Sequence, residues 1–346
     1  MNNEKSRVLI SGNIAPQTFE NCWFDWLHEN NYCVQAFDPT TILRRNIPST
    51  LLWRILWRFF GDVLSSAVSQ LLIKSACSFR PDLVLVVNGN LISSTALHVI
   101  RQKTQATLFH YYGEDFFNPL NTKNTLRKSI YCYDHLFTTK TFNVPELAKM
   151  GLNHITFIPC GYIPNCHSPV TINAADRLEY GSDLSFVGTF EAERAATMAH
   201  LKQFNLRIWG SDWQKAGKEL GLRGSIENRV VYCEEMSKVL NASKVNLAFL
   251  RKANRDRHDQ RTFEIPACGG FELSERTDEV LSYFEEGKEI ECFDSVEELK
   301  DKAVYYIEHE TQRQLIASAG LARVRRSSYS YTDYIQMILR HYSEVR

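Results

Sequence analysis

The sequence alternates twice over between short runs rich in β-branched and aromatic residues and amphipathic stretches of helical length, a rhythm that constrains the fold more than any single motif. It is the signature of β-α-β units, because parallel strands can be joined only through a long crossover, usually a helix. In the first half, strands are predicted over 7–10, 33–37, 83–87, 106–111 and 135–139, with helices through Trp23 and Leu27, over about 49–78 and over 93–103. Short strands at 155–159 and 184–187 bracket a Pro-, Gly- and Asn-containing stretch, 160–171, that reads as a linker. The second half restarts the rhythm with strands over 183–188, 206–210, 229–232, 245–250, 270–274 and 289–293. Its helices are predicted near 191–202, 236–242, 259–268, 278–284, 295–309 and 311–326. A chain of 346 residues exceeds what one core usually supports, so two α/β domains are expected, 1–165 and 166–330, followed by a terminal segment 331–346. That segment carries Tyr334, Ile335, Ile338, Leu339 and Tyr342 on one broad helical face and should pack.

Formal charge is zero, where a dedicated nucleic-acid binder would carry a basic excess. Residues 1–165 hold 15 Lys+Arg and 11 Asp+Glu, net +4, leaving 25 against 29, net −4, for 166–346. A shift this small fits chance as well as a weak preference of the first half for an anionic surface. The nine cysteines are odd in number, scattered and never in a C-x-x-C pair, so neither a disulfide framework nor a zinc knuckle is suggested and a reducing compartment is expected. The polar start MNNEKSR lacks a secretory apolar region, which adds to the expectation of a cytoplasmic protein. The segment 50–73 is interrupted by Arg54, Arg58 and Asp62 well short of a membrane span. Leu52, Leu56, Phe59, Val63 and Ala67 form one apolar stripe, and Trp53, Trp57, Phe60 and Leu64 a second. Two readings stay open: a crossover helix on the first sheet, or, with Arg44, Arg45, Arg54 and Arg58, peripheral contact with the inner face of a membrane.

Ligands of open parallel sheets bind beyond the carboxyl ends of the strands, so functional residues belong in strand-to-helix loops. The most informative loop is 254–270, from Asn254 to Gly270. It follows a strand and opens a helix, where amide groups and the helix dipole favour an anion. Arg255, Arg257 and Arg261 supply fixed positive charge suited to a diphosphate, although a solvated polar loop would have a similar composition.

The stretch RTFEIPACGG at 261–270, the following FELSERTDEVLSYFEEGKEIECFDSVEELKDKAVYYI and the ending RQLIASAGLARVRRSSYSY closely resemble the C-terminal domain of CgeB-like GT-B glycosyltransferases. The resemblance covers about 183–340, with DLSFVGTFEAER similar to the first strand and loop of that domain and RIWGSDW to its second strand. It implies an α/β fold of two Rossmann-like parallel-sheet domains facing across a cleft, the first binding acceptor and the second a nucleotide sugar. It also implies a terminal helix that crosses back onto the first domain. Glu264 matches the second glutamate of the Glu-x7-Glu motif in related retaining transferases, where a carboxylate accepts hydrogen bonds from ribose hydroxyls, and the first falls on Asp256, an acid shortened by one methylene. Arg261 and His258 would then reach the diphosphate or the transferring sugar. Gly188 and Thr189 resemble the loop under the phosphates, with Arg194 on the next helix. Tyr232, Cys233, Glu234 and Met236 would line the base, and Gly210, Asn254 and Thr262 complete the expected donor site.

The implied activity is transfer of a sugar from a UDP-, GDP- or dTDP-linked donor to a hydroxyl of a glycan, a lipid-linked saccharide or a small metabolite, in polysaccharide assembly by resemblance. No Asp-x-Asp occurs, in keeping with a metal-independent reaction that needs no cofactor beyond the co-substrate. If configuration inverts, a base must deprotonate the acceptor. Asp115 is the first candidate, with Glu114 and His110 behind it. If configuration is retained, no strong base is required, and the acid at position 256 leans that way. The turns Gly12-Asn13 and Gly89-Asn90 are candidates for holding the acceptor. An epimerase or hydrolase on the same fold, or a non-catalytic sugar-nucleotide binder, are the competing readings.

Overall fold

The structure is a computed structural model, and residues 6–46 and 61–345 are described. It divides into two compact units, one of 1–159 with 332–346 and the other of 160–331. The boundary falls a few residues before the expected 165.

Among the described residues of the first unit, six strands form one parallel sheet: β1 (Arg7–Ser11), β2 (Cys33–Phe37), β3 (Leu83–Val87), β4 (Thr107–Tyr112), β5 (His135–Thr138) and β6 (Ile155–Phe157). The order is β2-β1-β3-β4-β5-β6, so the chain runs outward from β1 and returns on its other side at β3, which makes the β1/β3 edge the switch point of the sheet. All five residues of β3, LVLVV, are buried, as a strand covered on both faces requires. The helix Ser94–Thr104 shows why the sequence turns where it does: Ser93 Oγ accepts from the Ala96 amide at 3.2 Å, and Gln105 closes the helix in the left-handed conformation. The stripes at 52, 56 and 59 and at 53, 57 and 60 lie outside the described residues, as do Arg54 and Arg58. In the described helix Gly61–Phe79, Leu64, Val68 and Leu72 enter the core with Leu9, Val84 and Leu97. No described helix is long and apolar enough to cross a membrane.

The helix Tyr331–Val345 buries Tyr334, Ile335, Ile338, Leu339 and Tyr342. From Thr332 onward it belongs to the first unit, where the Tyr342 ring lies 6.4 Å from that of Phe109 and His341 lies 4.8 Å from His135.

The described residues of the second unit form a five-stranded parallel sheet from β7 (Leu184–Val187), β8 (Leu206–Trp209), β9 (Val245–Ala248), β10 (Glu272–Glu275) and β11 (Glu291–Phe293), in the order β11-β10-β9-β7-β8. The strand expected at 229–232 is absent from this sheet. Beyond the edge strand β8 the chain makes only scattered bonds, such as Glu227 N to Ile208 O at 2.9 Å and Gly210 N to Arg229 O at 2.9 Å. The linker expected at 160–171 is followed by an unforeseen helix, Ala174–Tyr180, opened by a reciprocal capping box between Asn173 and Asp176. Contrary to the expectation of unpaired thiols, Cys166 and Cys233 form a disulfide across a sequence separation of 67.

Candidate functional site

In the second unit, the helix Arg261–Ala267 begins at the carboxyl end of the sheet. Its start is fixed by a reciprocal pair in which the Thr262 amide donates to Asp259 Oδ1 at 3.4 Å and Thr262 Oγ1 accepts from the Asp259 amide at 3.2 Å. Arg261 reaches from this helix to the end of β7, donating through Nε to Val187 O at 2.9 Å, and its other guanidinium arm pairs with Glu264 one turn along. Glu264 is 5% exposed and faces His167 Nε2 at 3.6 Å. His167 Nδ1 accepts from the Ile163 amide at 3.0 Å, which places the proton of a neutral ring on Nε2, toward the carboxylate. Burial, and behind it the Arg261 cation, pushes His167 down to about 3, so the ring is neutral throughout the physiological range.

Arg194 arrives from the first turn of the helix Ala192–Met198, is buried, lies over the Phe186 ring at 5.4 Å and pairs with Glu191 at 3.1 Å. Its Nε has no partner. A Cβ placed on Gly188 would come 3.3 Å from Arg194 Nη1, so the glycine, Arg194 and the Val187 carbonyl held by Arg261 converge. Burial foremost, with Arg194 contributing, holds Arg261 below its ordinary value. Two guanidiniums, one buried and one half-buried, that disfavour each other are stabilised by an anion between them. Under this cluster, Glu272 on β10 is 2% exposed with both carboxyl oxygens unpartnered, and burial, then Asp259, raises it well above the usual carboxylate range. The backbone is equally committed: Gly210 has φ +148°, and a Cβ there would sit 2.0 Å from Gly188 O, which also accepts from Trp213 Nε1 at 2.9 Å.

Several expected contributors lie elsewhere or are occupied. His258 is 1% exposed; its Nε2 accepts from the Cys160 amide at 3.0 Å and its Nδ1 meets Glu279 at 2.7 Å, so both nitrogens serve the packing of this unit and neither is presented to a ligand. Asp256 binds Arg251 Nε at 3.1 Å and Asn254 Nδ2 at 2.5 Å, which makes this acid and its neighbour Asn254 fasteners of their own loop. Met236 is in the core, Cys233 is in the disulfide, Glu234 pairs with Lys238 at 3.5 Å on the surface, and Tyr232 and Thr189 are exposed. Arg255 and Arg257 are also exposed, so of the three loop arginines only Arg261 enters the cluster.

In the first unit, a cavity of about 410 Å³ opens beside the helix Ser94–Thr104 and holds none of the expected residues. A second, of about 350 Å³, sits at the switch point beyond β1, β3 and β4 and brings together Gly12, Asn13, Gly89, Asn90 and Glu114. Gly89 needs its φ of +68°, and a Cβ on Gly12 would press on Glu20 Cγ at 2.9 Å. Asp115 does not join this pocket: it is 3% exposed and its Oδ1 accepts from the Phe117 amide and Asn143 Nδ2, both at 3.0 Å. His110 is also turned inward, stacked 4.7 Å from Tyr133, with Nε2 at 3.2 Å from the Asn88 carbonyl, and burial lowers it to about 4. It holds the Asn88-Gly89 turn in place. Glu114 is therefore the carboxylate this pocket presents, in place of Asp115.

Glu20, absent from the sequence-based candidates, is 4% exposed below the Gly12-Asn13 turn and accepts from the Asn13 amide at 3.4 Å. Burial raises its carboxyl from 4.5 to about 7. The folded chain then holds a proton that the unfolded chain releases, so stability present below about pH 4.5 is lost as pH rises to 7. Glu20→Gln should remove this loss, about 3 kcal/mol. Melting temperatures of variant and parent should nearly coincide at pH 4.5 and diverge in the variant's favour by pH 8; parallel curves would exclude the buried proton.

Two parallel-sheet units of this order, one with an anion-seeking cluster and the other with a switch-point pocket, define a protein of the GT-B fold. Residues 193–340 match the family model described as glycosyl transferase-like. The chain is also similar to spore protein CgeB of Bacillus subtilis, 23% identical over 260 residues, covering 70% of this chain and 77% of that one. Among solved structures, HepE of Anabaena, crystallised with UDP and glucose, superposes with a TM-score of 0.63 at 14% identity, covering 98% of this chain and all of that one. Sucrose-phosphate synthase from Thermosynechococcus elongatus gives 0.69 at 11% identity over 99% of both chains. At such identities the structural likeness speaks for the fold.

Proposed function

We propose that this protein is a metal-independent glycosyltransferase that takes a sugar from a nucleoside-diphosphate donor seated in the second unit and passes it to an acceptor hydroxyl bound in the first. The observation that carries the reading is the pair of converging guanidiniums, Arg194 buried and Arg261 half-buried, bracketing Gly188, with Arg194 Nε unpartnered and Glu264 adjoining. A diphosphate satisfies the arginines, and Glu264, held by Arg261 and facing His167, offers its carboxylate to ribose hydroxyls. Glu114 is the group proposed to receive the acceptor proton. The UDP complexes of HepE make UDP-sugars the first donors to test, with GDP- and dTDP-sugars beside them.

A thermal-shift screen of these donors, with and without EDTA, tests the proposal. A matching donor at a hundredfold excess over Kd should add about 2.7 kcal/mol to apparent stability. The shift should survive chelation. Product analysis then separates transfer from release of free sugar or epimerisation, and a protein stabilised by no nucleotide sugar would overturn the reading.

A further inference from the structure

The switch-point pocket of the first unit has a chemistry of its own, apart from its position. Its polar walls are mainly carboxamides and one carboxylate, Asn13, Asn88, Asn90, Asn121 and Glu114, beside Thr40 and Tyr112. Two of the amides are fixed in place. Asn90 Nδ2 donates to Asn121 O at 2.9 Å while its Oδ1 accepts from the Lys123 amide at 2.8 Å, and Asn121 Nδ2 donates to Glu114 Oε2 at 3.2 Å. The other two, Asn13 and Asn88, stand exposed at the ends of β1 and β3. At the base, Ser11 is 1% exposed and its hydroxyl has no partner. Leu91 and Leu120 supply an apolar side.

Among the described residues lining this space there is no lysine, arginine or histidine. The acidic groups nearby are Glu114 in the wall and Glu20 beneath the Gly12-Asn13 turn, itself close to Asp38. A phosphate, sulfate or carboxylate placed here would give up its hydration, meet no cation among the described lining residues and face a carboxylate, a cost that its hydrogen bonds cannot offset. Uncharged hydroxyls fare differently. They both donate and accept, which matches carboxamides and a carboxylate in every orientation, and one directed downward would satisfy the Ser11 oxygen. A volume of about 350 Å³ accommodates a small, compact ligand.

We infer that this pocket selects an uncharged, polyhydroxylated acceptor, a terminal sugar residue or polyol free of phosphate and carboxylate at the seated end, recognised by Asn13, Asn88 and Glu114 around the Ser11 hydroxyl. The inference rests on the glycosyl-transfer reading for its biological meaning, but its test does not need a donor.

Saturation-transfer NMR on the full chain, with methyl glycosides of glucose, galactose, mannose and N-acetylglucosamine, is compared with the corresponding 6-phosphates and uronates. At least one neutral glycoside should bind, at least tenfold more tightly than its anionic counterpart. Asn13→Ala and Glu114→Gln, both checked for an unchanged melting temperature, should each weaken it by about tenfold. Three results overturn the inference: no neutral glycoside bound at tens of millimolar, anionic sugars bound as well or better with the same sensitivity to the two variants, or glycoside binding that neither variant alters. Failure of the donor screen with success here would remove the transferase reading alone. Donor binding together with preference for a sugar phosphate in this pocket would remove the inference alone.

Discussion

Glu264→Ala should abolish the stabilisation given by the best nucleotide sugar and lower kcat/KM by a hundredfold or more. The carboxylate is held on one side by Arg261, faces the Nε2 proton of neutral His167 on the other, and is 5% exposed, so it is preorganised and already largely desolvated. Two hydrogen bonds from ribose hydroxyls to such a group contribute about 3 kcal/mol together, which is the hundredfold loss. Alanine also leaves Arg261 without its partner, which disturbs the phosphate seat. Glu264→Gln separates the two effects, since it keeps the shape and an acceptor oxygen while removing the charge; it should bind donor weakly where alanine does not bind at all. Full donor-induced stabilisation in the alanine variant would sink the assignment of this residue.

Removal of residues 332–346 should prevent the first unit from folding. Tyr334, Ile335, Ile338, Leu339 and Tyr342 are all buried there, and at about 2 kcal/mol each they contribute on the order of 10 kcal/mol. That equals the whole stability of a typical domain. Their loss would also uncover Phe109, whose ring is 6.4 Å from Tyr342. Hydrogen exchange would report the result directly: amides of β4 and β5 should lose protection while those of β9 and β10 keep it. Unchanged protection in β4 would show that the helix is dispensable.

The strands were legible wherever a run of branched residues met a Gly or Asn stop, as in LVLVV before Asn88-Gly89, because burial on both faces leaves a continuous apolar run. Val230 and Val231 misled for the same reason: two branched residues mark an extended chain, yet whether that chain joins a sheet depends on a neighbour's edge. Arg261 and Glu264 could be paired from the sequence because residues three apart share a helix face. His167 could not, since nothing local ties it to a glutamate so far along the chain, and the spacing of Cys166 and Cys233 is equally silent. His258 and Asp256 had the right chemistry, but a sequence does not reveal which hydrogen bonds a polar group has already made. Asp115 and Glu114 differ only in direction, one turned into the protein toward Asn143 and the other to the pocket, and adjacent residues commonly part in this way.

The contact between Gly210 and Gly188 bears on how such a protein could be re-engineered. Any side chain at position 210 would collide with a carbonyl in the neighbouring loop, so that position is closed to ordinary mutagenesis and is expected to stay glycine in any library of folded variants.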